Sequence, residues 1–215
     1  GSPLRGKGPR PPFEVVSAFI DQQGEGDLSR RRAEQFGFTI YPTIAEALRC
    51  GGDSLAVDAI LHIGEHGDYP VNDIGQKQYP RYEFFKQIEE VFRADGKSTP
   101  VFNDKHLSYN WPDAKWMYDT AKKHKIPLMA GSSLPVLWRY PPVDVRRGER
   151  LKEIVAVSYH RLDAYGFHAL EMVQALVERR AGGETGIRAV QCLTGNAVWE
   201  AGGQGIYERR LLDEA

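Results

Sequence analysis

The stretch Val57-Asp58-Ala59-Ile60-Leu61-His62-Ile63-Gly64-Glu65-His66-Gly67-Asp68-Tyr69-Pro70 constrains this chain more than any other. A short apolar run passes straight into Gly, His, Glu and Asp with no helical spacing between. That pattern reads as a buried strand of a parallel sheet opening into a polar loop. In open α/β sheets ligands sit beyond the carboxyl ends of the strands. Four groups able to bind a proton or a metal, His62, Glu65, His66 and Asp68, fall in this loop, so part of any site is expected here.

The same texture recurs on both sides. Residues 13–20 form an apolar, partly β-branched strand closed by Asp21. Asp27 or Ser29 caps a helix reaching Phe36 and stopped by Gly37. A short extended piece follows at 38–42. Thr43 then caps a helix over residues 44–49, with Glu46 completing a capping box. After a polar linker at 71–80, Phe84, Phe85, Ile88, Val91 and Phe92 recur at helical spacing. Residues 100–105 form a brief strand ending in Asp104 and Lys105. Pro112 starts a helix carrying Ala114, Met117, Tyr118 and Ala121 and ending in basic residues, which complement its dipole. One more strand spans 126–131, with a turn at 131–133.

This strand–helix rhythm predicts an α/β fold with a truncated Rossmann-like parallel sheet covered on both faces. Its strand ends should gather Asp21, the 62–68 loop, Asp104-Lys105 and Ser132 at one edge. From residue 141 the texture changes to a smaller α+β unit, with strands at 154–159 and 187–193, a helix at 165–179 and a helical piece at 207–212. The expected domains are 13–140 and 141–215, parted by Pro141-Pro142 and the turn at 146–150. Residues 3–12 read as a flexible lead-in, and Gly1-Ser2 is set aside as a tag remnant.

Composition removes several classes. The 215 residues are 41% hydrophobic and 27% charged, enough to bury a core unaided. A net charge of −1 supplies no general attraction to nucleic acid or anionic lipid. No apolar run approaches the ~20 residues of a membrane span. Cys50 and Cys192 fit neither a disulfide framework nor a metal spacing, and a cytoplasmic location is expected. Trp111, Trp116, Trp138 and Tyr140 read as packing residues, since no basic-aromatic interleaving accompanies them.

His62-x-x-Glu65-His66 has the spelling of one zinc-protease class, but that motif needs a helix, and Gly64 and Gly67 interrupt it. Loop ligands drawn from His62, Glu65, His66 and Asp68 remain a way to hold a divalent metal. Gly131-Ser132-Ser133-Leu134-Pro135 is a strand-end turn without the Gly-x-Ser-x-Gly pattern, so a nucleophile there would need a histidine from elsewhere. His168 opens a helix whose apolar positions are Leu170, Val173, Leu176 and Val177. Its ordinary pKa of ~6.5 suits proton transfer near neutrality.

Several pieces, in this order, resemble the Gfo/Idh/MocA family of NAD(P)-dependent oxidoreductases. They are the strand ending in Asp21; Tyr41-Pro42-Thr43-Ile44-Ala45-Glu46-Ala47-Leu48; Asp58-Ala59-Ile60 with His66; Asp104-Lys105-His106; Leu128 through Arg139-Tyr140-Pro141; and Asp163-Ala164-Tyr165-Gly166-Phe167-His168. The resemblance implies that Lys105, beside Asp104, contacts nicotinamide and substrate and moves the hydroxyl proton, a role calling for a lowered lysine pKa. It also implies His168 as a proton partner, Asp21 and His66 as cofactor contacts, and Arg139 and Asp163 near substrate. The family's opening Gly-x-Gly-x-x-Gly turn, which cradles the pyrophosphate, has no counterpart, and Glu-Lys-Pro stands here as Asp-Lys-His. The expectation is a member lacking its first βα unit and part of its last sheet, binding NAD(P) weakly.

Three readings stay open. The first is an oxidoreductase acting on a hydroxyl of a sugar or cyclitol. The second is a hydrolase, using either a metal in the 62–68 loop or Ser132/Ser133 with a histidine. The third is a non-catalytic remnant that binds a small molecule. Small-molecule substrates and a homo-oligomer are expected, the latter because open strands in the second unit would leave an apolar face uncovered.

Overall fold

The computed structural model describes residues 12–214, so all but the end of the 3–12 lead-in lies outside the described residues. The chain divides after Ala130, and each unit is described by itself.

The first unit runs β1 (Ser17–Phe19), α1 (Ser29–Phe36), β2 (Thr39–Tyr41), α2 (Ile44–Arg49), β3 (Ile60–His62), α3 (Arg81–Asp95), β4 (Val101–Asp104), α4 (Trp111–Lys123) and β5 (Leu128–Gly131). Local chemistry sets the helix ends. Thr43 Oγ1 accepts from the Glu46 N–H at 3.1 Å, the capping half of the expected box, while the Glu46 carboxylate accepts at 3.0 Å from the Thr43 hydroxyl in place of its N–H. Asn110 accepts from the Asp113 N–H at 2.9 Å at the head of α4. Arg49 at the end of α2 reaches Asp95 at the end of α3 at 2.6 Å, and the same carboxylate accepts from the Leu55 N–H at 2.7 Å.

The α/β class holds: parallel strands are flanked by helices in a partial Rossmann-like arrangement. The ladder is not continuous, however. β1 pairs in parallel with β2, and β3, β4 and β5 make a separate three-stranded sheet in which β3 and β4 pair Ile60 with Val101 and His62 with Asn103. Strands of three or four residues offer few ladder bonds. Side chains tie β1 to α3 instead, Phe19 meeting Phe84 edge to face at 5.7 Å. Beneath them Phe85, Ile88, Val91 and Phe92 of α3, Val101, and Met117 and Ala121 of α4 form one buried cluster with Ile44, Leu48, Leu55, Ile60 and Ile126.

The second unit is helical where it is regular: a 3-10 turn at Leu134–Val136, a π turn at Leu162–Gly166 leading into α5 (Phe167–Val177), then α6 (Asn196–Gly203) and α7 (Arg209–Asp213). The strands expected at 154–159 and 187–193 do not form, and the only strand-like contact among its described residues is an isolated bridge between Glu149 and Arg180. β-propensity expresses burial against neighbours rather than an intrinsic backbone preference. These segments have no such neighbours: Val157, Ile187 and Val190 are exposed. The expectation that the aromatics pack is also corrected. Trp116 packs against Tyr82 and Phe85, but Trp111, Trp138 and Tyr140 are exposed. No described helix is long and apolar enough to cross a membrane.

Candidate functional site

At the end of β4 the strand alternation turns Val101 and Asn103 inward, and Asn103 is fully buried. Its side-chain amide donates to the carbonyl oxygens of Asp104, Lys105 and His106 at 3.4, 3.3 and 3.1 Å. Curling three successive carbonyls round one amide bends the chain sharply, and Lys105 takes φ 69°, a left-handed conformation uncommon outside glycine. The Lys105 ammonium bonds Glu65 from the loop after β3 and Asp104 at 2.9 Å. All three side chains are mostly sequestered, with Lys105 19% exposed.

Burial pulls the Lys105 pKa down most strongly. The hydrogen bonds and charges of Asp104 and Glu65 together outweigh it and hold the pKa above the usual lysine value. The lowered pKa implied by the family resemblance is therefore corrected. Lys105 thus favours its charged form, suited to donating a hydrogen bond or a proton to oxygen rather than to taking a proton from it.

The loop after β3 is clasped to the end of β1. Gln22 accepts from the Asp68 N–H at 2.7 Å, and the Tyr69 hydroxyl donates to Asp21 at 2.7 Å. Burial, then the Asp21 carboxylate, raises the Tyr69 pKa. Behind the loop lies Arg81, 1% exposed at the start of α3, whose guanidinium donates to His106 Nε2 at 2.9 Å and stacks on Tyr79 at 4.9 Å. Gly64 is required beside it, since a Cβ there would come within 2.8 Å of Arg81 Cγ.

The strand ends thus bring together Asp21, Glu65, Asp68, Asp104 and Lys105. They do not assemble the four candidate metal ligands. His62 faces inward and is 4% exposed, with neither ring nitrogen hydrogen-bonded among the described residues. Glu65 is engaged by Lys105, and His66 is exposed with φ 62°. Among the described residues no group of three or more His, Cys, Asp or Glu side chains could hold a metal. The alternation that expects a buried strand also puts His62 at its inner end, where desolvation and then the Arg81 charge lower its pKa to about 4. A cavity of about 310 Å³ lined by Glu89, Arg93, Lys97 and His124 lies where α3 and α4 finish, not where the strands do.

In the second unit, Ser132 Oγ and His168 Nδ1 are 2.5 Å apart, and Glu171, one turn further along α5, accepts from the Ser132 N–H at 3.1 Å. Arg139 donates to the Val143 and Pro135 carbonyls and to Asp144, closing its own loop. Asp163 sits in the π turn ahead of α5.

Gln22, Tyr69, Arg81, Asn103 and Glu171 escaped the reading of the sequence. Asn103 alone left a signal, because the two-residue period of β4 puts it on the same face as Val101. Arg81 reads as a solvated helix residue in any one-dimensional pattern.

No family model matches the sequence, and no curated protein matches it. Among solved structures the chain matches the crystal structure of the "putative dehydrogenase" from Bordetella bronchiseptica RB50. The two are 18% identical with a TM-score of 0.40, and the match covers 57% of this chain and 26% of that one. The matched part spans about a quarter of that protein's length. A likeness at this score carries no argument about chemistry, and the α/β class rests on the strands and helices described above.

Proposed function

We propose that this chain is an oxidoreductase of Gfo/Idh/MocA type, working between a hydroxyl of a sugar or cyclitol and the matching carbonyl. The observation that supports this reading best is Lys105, a cation held charged by Glu65 and Asp104 where β4 ends and turned there by Asn103. A protonated lysine beside a carbonyl oxygen polarises it and delivers the proton as the oxygen becomes a hydroxyl. A proton from solvent then returns the amine to the ammonium form, which Asp104 and Glu65 favour. The family's hydride carrier is NAD(P). Among the described residues no Gly-x-Gly-x-x-Gly turn stands ready for its pyrophosphate, and Asp21, the acid at the β1 end, already accepts from Tyr69. The chain's own contribution is to hold the substrate oxygen and move its proton.

The test is reduction of a panel of ketoses and keto-cyclitols with millimolar NADPH or NADH, followed at the nicotinamide absorbance. Turnover by the chain is expected, with Lys105→Met slower by about 100-fold or more, the scale of a lost proton donor. Equal rates for the two proteins, or no turnover with any member of the panel, would remove the reading. Calorimetric titration should show NAD(P) affinity weaker than micromolar.

A further inference from the structure

We propose that the second unit carries a separate nucleophilic site, in which Ser132 is activated by His168 for acyl transfer from an uncharged ester. The inference does not depend on Lys105. It rests on how the hydrogen bonds around Ser132 are allotted. The Leu134 N–H donates to Ser132 Oγ at 3.1 Å and uses one of its two lone pairs, which leaves the hydroxyl proton free to turn to His168 Nδ1, 2.5 Å away. In the proposed site Nδ1 is the acceptor and Nε2 carries the ring proton, the tautomer a general base at this distance requires. A serine serving only to cap the 3-10 turn would need no histidine at this distance.

The backbone round the pair is built to hold it. Glu171 accepts from the Ser132 N–H at 3.1 Å. It can approach so closely because residue 131 is glycine: a Cβ there would lie 3.0 Å from the Glu171 carboxylate, and the backbone adopts φ 155°. Glu171 is thus a positioning residue, fixing the main chain of the serine rather than the imidazole. The order is strand, tight turn, helical turn, with Gly131 ending β5, Ser132 in the turn and Leu134–Val136 following. The order parallels that of a nucleophile presented at a strand end, with a 3-10 turn in place of the helix and without the Gly-x-Ser-x-Gly spacing. The N–H of Ser133, directly after the nucleophile, forms no hydrogen bond among the described residues and occupies the sequence position from which such sites stabilise an oxyanion. Tyr165 and Phe167 flank His168 at ring distances of 6.0 and 5.7 Å, surroundings that suit an uncharged acyl group. Ser132 and His168 are half-buried, so a small ester can reach them.

The step balances within these groups. Ser132 Oγ bonds to the ester carbonyl carbon as its proton passes to Nδ1. The carbon–oxygen bond to the alcohol then breaks, and the alcohol leaves with that proton. Water repeats the sequence on the acyl-serine: its oxygen bonds to the acyl carbon, its proton goes to Nδ1, and Ser132 Oγ departs and recovers the proton.

The experiment is labelling of the full chain with a fluorophosphonate probe, which bonds phosphorus to the serine oxygen with loss of fluoride, read by intact mass and peptide mapping. Labelling on Ser132 is expected, absent in Ser132→Ala, slowed about 100-fold or more in His168→Gln and retained in Ser133→Ala. p-Nitrophenyl acetate should be hydrolysed with the same pattern. Unchanged circular dichroism in the variants separates lost chemistry from lost folding. Label on another residue, an equal rate in His168→Gln, or no label on the folded wild-type chain would overturn the proposal.

Discussion

The two units hold polar side chains in very different ways. In the first, the Glu65–Lys105–Asp104 cluster stands on a buried layer: Phe85 and Met117 are fully buried, Val101 is 1% exposed, and Asn103 and Arg81 are sealed behind the loops they shape. In the second, Ser132 and His168 meet at a turn and a helix start, and of the described residues of that unit only Ala201 is a buried apolar one. The first cluster can therefore keep Lys105 in a left-handed conformation costing roughly 1–3 kcal/mol, because the surrounding contacts over-determine it. The second relies on short-range hydrogen bonds in ordinary conformations, apart from its one glycine.

Core truncation is the strongest way to break that contrast. Phe85→Ala should destabilise the first unit by about 3–5 kcal/mol, through lost burial and the cavity left behind. Leu170→Ala on α5, 69% exposed, should cost within about 0.5 kcal/mol. Urea denaturation of both variants checks this, and comparable losses would mean that the second unit buries a core of its own.

His62 supplies the next effect. Its folded pKa is depressed from 6.5 to about 4, so folding favours the neutral ring. The resulting stability is complete above pH 6.5 and is lost as pH falls toward 4. Between pH 7 and pH 5 the first unit should lose about 2 kcal/mol from this residue, taking 1.36 kcal/mol per pH unit. A His62→Leu variant should lack that part of the pH dependence. Parallel curves for the two proteins over this window would place a charged or solvated histidine there.

Thr43→Ala tests the local part of the scaffold. Loss of the cap at α2 should cost about 1 kcal/mol, within a range of 0.5–2. Thr43→Ser should restore most of it in the same denaturation experiment.

The smallest effect on stability is expected at Val190, which is 83% exposed. Exposed Val157, Ile187 and Val190 keep the homo-oligomer expectation alive although the strands meant to carry it do not form. Val190→Glu should leave the denaturation curve unchanged but lower the molar mass measured by light scattering. An unchanged mass would assign those residues to a lone surface.

Local rules, read along the chain, were enough for the order of elements in the first unit. The Thr43 cap on Glu46, the 84–92 apolar spacing and the glycine stop at Gly37 act between residues at most a few positions apart, so they are written in the sequence itself. The gathering of Asp21, Glu65 and Lys105 was legible for a related reason. Every strand there ends in polar residues, and right-handed crossovers return those ends to one edge. Tertiary structure alone decided whether a β-prone segment finds a partner, which 154–159 and 187–193 do not. It also decided the sign of the Lys105 shift, because two carboxylates outweigh desolvation only at the distances the fold imposes. The pairing of Ser132 with His168 belongs to the same class. Their 36-residue separation carries no spacing rule, and only the packing of α5 against the turn brings an imidazole to that hydroxyl.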